Sequence, residues 1–117
     1  MNIDQMQTNA RRASQLLKAL SNEHRMLILC RLSEGERSVG QLESMVGLSQ
    51  SALSQHLARL RRDELVKTRR EAQTIYYSLT GEEATQVIDV LYGMYCVDVN
   101  ASADEGGLRI AGGTAVD

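Results

Sequence analysis

The 117-residue sequence contains no Phe, no Trp and no Pro, and its aromatics are four Tyr. A core must therefore be built from Leu, Ile, Val, Met and Ala, which suits packed helices, and the lack of Pro leaves helical patterns uninterrupted. Cysteine is scarce, with two residues and no Cys-x-x-Cys pair, so the motif of a dithiol redox catalyst is missing. There is also no Gly-rich phosphate loop and no nucleophile beside an evident base, and an enzyme is not expected. Long apolar runs are missing as well. Met26-Leu27-Ile28-Leu29-Cys30 is far too short to span a membrane and nothing resembles a signal peptide, so the expected compartment is the cytosol, with no membrane partner.

One domain, residues 1–99, accounts for the patterned part of the chain. Residues 100–117 turn to Ala, Ser, Asp and paired Gly without periodicity and are expected to form a flexible tail. The net charge is -2, yet distribution matters more than the sum. From Ser49 to Leu79 there are six basic residues and three acidic ones, a balance of +3; from Thr80 onward seven acids face Arg109 alone, a balance of -6.

The basic segment follows a pair of short helical patterns. Ser38-Val39-Gly40-Gln41 reads as a capping box, with Val39, Leu42 and Val46 on one apolar stripe and Gly47 as the stop. Ser49 caps the next helix just two residues later, and there Leu53, Leu57 and Leu60 recur at i, i+4 and i+7. These leucines face inward, leaving Ser51, Ser54, Gln55, Ala58, Arg59 and Arg62 outward. Beyond Leu65-Val66, β-branched and aromatic residues flank a polar tip in the manner of a hairpin with Arg69 and Arg70 close to its end. Helix, tight turn, helix and hairpin in this order predict a winged helix-turn-helix, mainly α with a β-hairpin wing, in the order α-α-α-α-β-β-α. Ser49, Gln50, Ser51, Ser54 and Gln55 are candidate readers of base edges, while Arg59, Arg62, Arg69 and Arg70 are candidate phosphate contacts. His56 flanks the inward face and suits either helix packing or a phosphate contact. The plain alternative is an amphipathic helix with a solvated face; it leaves the tight turn and the hairpin unexplained.

Two further helices precede this module, one over about residues 4–19 with Met6, Ala10, Ala13, Leu17 and Leu20 near one face, and a central one capped by Ser21 or Asn22. After the hairpin, Thr80-Gly81-Glu82-Glu83 reads as a third capping box and opens a helix carrying Ala84, Val87, Ile88, Leu91, Tyr92, Met94 and Tyr95. This apolar face is broader than a small monomer needs. Together with the first helix it predicts a homodimer whose reading helices lie about one DNA turn apart.

Residues 16–25 (LLKALSNEHR), 38–42 (SVGQL) and 49–57 (SQSALSQHL) resemble the ArsR family of bacterial repressors, and the likeness spans about residues 4–97. Residues 29–36 (LCRLSEGE) and 91–96 (LYGMYC) are similar to its thiol-based, persulfide-sensing branch. The resemblance implies a dimer on a double-stranded operator with an imperfect inverted repeat. It also implies Cys30 and Cys96 as the redox-sensing pair, bridged by a small reactive sulfur species or oxidant that lowers operator affinity. Read without it, Cys30 is a small buried hydrophobe, the commoner fate of a lone Cys on an apolar helix, and Cys96 an incidental surface thiol. A regulator that relieves silencing by nucleoid proteins would share every DNA-binding residue with a repressor, because the sign depends on where the operator lies. Metal sensing is disfavoured: Cys30 is followed by Arg31 and Leu32, the last helix has no His, and two thiols fall short of the four ligands of a zinc site. No metal and no cofactor are expected.

Overall fold

The computed structural model describes residues 1–96; the expected tail lies outside the described residues. Helix α1 (Ile3–Leu20) leads to α2 (Glu23–Ser33), a short strand β1 (Arg37–Ser38), α3 (Val39–Val46), α4 (Gln50–Arg62), the hairpin β2 (Val66–Glu71) and β3 (Thr74–Leu79), and α5 (Glu82–Leu91), which runs into a π-helical turn at Tyr92–Cys96. This is the expected mainly helical winged helix-turn-helix, with one strand added. β1 escapes a periodicity search because two residues show no alternation. It exists because β3 has an open edge to pair: Arg37 lies opposite Tyr77 and Ser38 opposite Tyr76, giving the antiparallel order β1-β3-β2.

Helix α2 is the centre of the molecule, packing against α1, α3, α4, β3, α5 and the π-helical turn. Its Ile28, Leu29 and Leu32 meet Leu42 and Val46 of α3, Leu53, Leu57 and Leu60 of α4, and Ala84 and Ile88 of α5 in one continuous apolar core. Asn22, rather than Ser21, caps α2 by accepting from the amides of His24 and Arg25 at 2.9 and 3.0 Å. Helix α1 meets this core only through Leu16, Ala19 and Leu20. Its Met6 and Leu17, expected on a single apolar face with Leu20, are exposed. No helix among the described residues is long and apolar enough to cross a membrane.

The third capping box does not form. Gly81, at φ 89°, is the N-cap of α5 and no side chain caps that end. Thr80 stands one residue too early because its amide is drawn to the Leu65 carbonyl at 3.0 Å, at the end of the sheet. Glu82 and Glu83 in the first turn supply the favourable charge instead.

Candidate nucleic-acid interface

The geometry of α3 and α4 follows from their caps. Ser38 accepts from the Gln41 amide at 3.1 Å while the Gln41 side chain accepts from the Ser38 amide at 2.8 Å. Gly47 ends α3 at φ 69°, a left-handed conformation that costs glycine nothing. Two residues later Ser49 accepts from the Ala52 amide at 3.2 Å and starts α4. Leu53, Leu57 and Leu60 are then fully buried, and Ser49, Gln50, Ser51, Ser54 and Gln55 stand exposed at the N-terminal half of the opposite side.

At the other end, a 6→1 bond from the Leu65 amide to the Leu60 carbonyl (2.9 Å) and a bond from the Glu64 amide to the Arg61 carbonyl (3.0 Å) close α4. This is a Schellman turn, with Glu64 at φ 61° where glycine is usual. Arg59 and Arg62 reach Asp63 at 3.3 and 4.0 Å. Such surface pairs are weak enough to be exchanged for a phosphate. Arg61, which the sequence reading left out, is exposed and lines, with Ser54, Ala58, Arg62, Ile75 and Tyr77, a cleft between α4 and the wing. The signal was present: Arg61 lies seven residues after Ser54, two helical turns along the same face.

The two wing arginines differ. Arg70, opposite Ile75, is exposed. Arg69, opposite Tyr76, donates to both carboxylate oxygens of Glu36 at 2.8 and 2.9 Å and lies over the Tyr76 ring at 4.5 Å. Its hydrogen bond to Glu36 raises the Arg69 pKa and lowers that of Glu36. His56 is half-buried on the flank turned to α2, its ring centroid 5.7 Å from that of His24. Burial first, then the charge of Arg25, then His24 hold its imidazole below its usual pKa, so at neutral pH it is an uncharged packing group. Arg25 was another residue not singled out. It is buried, donating from Nε to the Ala19 carbonyl at 2.7 Å and from Nη2 to the Lys18 carbonyl at 3.3 Å, and so it ties the end of α1 to α2.

Cys30 is buried on α2, and Cys96 closes the π-helical turn that packs against this same helix.

Comparison with known proteins adds an independent line. A family model described as bacterial regulatory protein, arsR family, matches residues 22–68. The transcriptional activator HlyU of Vibrio cholerae is 54% identical over 96 residues, covering 82% of this chain and 89% of that protein. The biofilm growth-associated repressor of Xylella fastidiosa is 42% identical over 96 residues, 82% of this chain and 84% of that one. Among solved structures, reduced HlyU from Vibrio cholerae superposes with a TM-score of 0.78 at 53% identity, covering 81% of this chain and all (100%) of that one.

Proposed function

The chain belongs to the ArsR family of bacterial regulatory proteins, a family of DNA-binding transcriptional regulators, and from that premise we propose that it is a cytosolic dimer whose operator affinity falls when sulfur chemistry links Cys30 to Cys96. The observation that carries the DNA reading is the exposed Gln50, Ser51, Ser54 and Gln55 face of α4, raised above three buried leucines at a tightly capped turn. Inserted in a major groove, such a face meets base edges, while Arg59, Arg61, Arg62 and the wing's Arg70 meet phosphates on either side. The dimer reading is supported by Met6, Leu17, Val90, Met94 and Tyr95, large apolar residues left exposed on α1 and at the last helix and turn.

The switch reading is supported by the packing of the Cys96 turn on the Cys30 helix. One thiolate takes the outer sulfur of a low-molecular-weight persulfide and releases the donor's thiol. Attack by the second thiolate on that cysteine persulfide closes a disulfide and expels hydrosulfide. The bridge ties the last turn to α2 and biases the angle between two reading heads. A coupling of about 1–3 kcal/mol changes operator affinity by roughly 5- to 150-fold.

The test is operator binding by reduced and persulfide-treated protein, with intact-mass analysis. Reduced protein binds and bridged protein releases; Cys30→Ser and Cys96→Ser bind like reduced wild type and do not respond. Release by either variant on treatment would overturn the switch. A second reading is favoured by the identity to a protein named as an activator: the chain relieves silencing by nucleoid proteins. Transcription in vitro with and without a nucleoid protein separates the two readings, since a repressor lowers the transcript in both cases.

A further inference from the structure

Between the last turn and the wing lies a cluster of charged groups that DNA contact does not require. The Glu34 carboxylate, just past the end of α2, accepts from Tyr92 Oη at 2.9 Å, from Arg37 Nη2 at 3.3 Å and from Arg31 Nη1 at 3.4 Å. Burial would raise the Glu34 pKa, but the Tyr92 hydrogen bond and the two guanidiniums outweigh it and hold the group ionised below its usual range. Three residues on, Arg37 is paired into the sheet opposite Tyr77, and Ser38 caps α3. Between Glu34 and Arg37, Glu36 grips Arg69 of the wing through two bonds. One stretch of five residues, 34–38, is thus fastened to the last turn, to the wing and to the first helix of the reading pair. Tyr92 stands 58 residues from Glu34 in sequence and opens the same π-helical turn that Cys96 closes.

We propose that Tyr92 and Glu34 are positioning residues that transmit the state of the last helical turn to the wing through β1. Displacing that turn draws the Tyr92 hydroxyl off Glu34. The carboxylate, held then by Arg31 and Arg37 alone, moves toward them, and β1 shifts with Arg37, carrying the β3 edge and the Glu36–Arg69 pair with it. Within the cluster, the Nε atoms of Arg31 and Arg37 are buried and have no hydrogen-bond acceptor among the described residues. The coupling to operator affinity rests on the thiol-switch reading above; the mechanical link from Tyr92 to β1 does not.

The experiment uses the full chain, wild type, Tyr92→Phe and Glu34→Gln, with glutathione persulfide as the reagent. Intact mass reports thiol modification, operator titration reports affinity before and after treatment, and hydrogen exchange reports the amides of Arg37, Ser38, Tyr76 and Tyr77. Tyr92→Phe is expected to take up the same sulfur as wild type while the ratio of reduced to treated affinity shrinks by about fivefold or more. A merely structural role would lower both affinities equally and leave that ratio alone. Both variants are also expected to exchange faster than wild type at β1 and β3 before any treatment. A wild-type ratio retained in Tyr92→Phe, or unchanged exchange in both variants, would overturn the proposal. If wild type is modified but does not release the operator, the thiol reading fails, and the exchange data alone decide whether Tyr92 and Glu34 set β1.

Discussion

At Arg25 a charged side chain is taken almost wholly out of water to serve two backbone carbonyls. Its pKa is lowered, first by burial and then by the nearby charge of Arg59, yet it stays cationic and gives the last carbonyls of α1 a positive partner. Arg25→Ala leaves the Ala19 carbonyl without its donor and the Lys18 carbonyl with the Ser21 amide alone, and the expected loss is about 1–3 kcal/mol, read from urea unfolding. Nothing in the residue order marks this arginine as inward, because Arg at the start of a helix normally points to water. His56 gives a pH dependence whose sign follows from its depressed pKa. The unfolded chain takes up the proton first, so stability is full above the ordinary value of 6.5 and is lost as pH falls from there through the lower folded value. Thermal unfolding followed downward from pH 7 should show this decline. His56→Gln should flatten it in the range below 6.5, whereas a parallel decline in the variant would assign it to other groups.

At the scale of elements, the wing has a two-residue turn, Ala72-Gln73, between Glu71 and its partner Thr74. Ala72 sits at φ 56°, in the left-handed region that costs a residue with a Cβ about 1–2 kcal/mol. Ala72→Gly removes that strain and adds glycine's extra unfolded-state freedom, leaving a net gain of about 0.5–1 kcal/mol. Calorimetry checks it, and operator affinity tells whether a looser tip matters. The missing Asn-Gly or Asp-Gly explains why the turn could be located from sequence but not described. The caps of α3 and α4 were legible because donor and acceptor lie within three residues of each other. The false capping box at Thr80 had the right residue types too, but a carbonyl fifteen positions earlier, that of Leu65, drew its amide into the sheet.

For the whole molecule, the long first helix is the oddity, since it stands mostly clear of the core and is fastened at its far end. The Arg12–Glu83 pair, 3.1 Å long and well exposed, links it to α5 but contributes little. The proposed second copy, covering the apolar residues of α1 and the last turn, would account for its length. Leu17→Glu, at a position 59% exposed, should leave the fold's circular dichroism unchanged, shift sedimentation from dimer to monomer and weaken operator binding. A variant that sediments like wild type would move the contact elsewhere on the surface.

Helices, the caps of α3 and α4, the inward leucines of α4 and the order helix, turn, helix, hairpin were determined by the sequence itself. Each is a local pattern: apolar spacing of three or four residues, or a side chain within one turn of the backbone group it satisfies. What only the tertiary structure decided is where distant parts of the chain meet. Strand β1 exists because β3 offers it an edge, Arg69 is bound to a carboxylate 33 residues away and Tyr92 to one 58 residues away. Arg25 turns inward because the end of α1 presents it with the Ala19 and Lys18 carbonyls. Such pairings depend on the path of the backbone between them, and the sum of many weak packing choices sets that path, which no short window of residues contains.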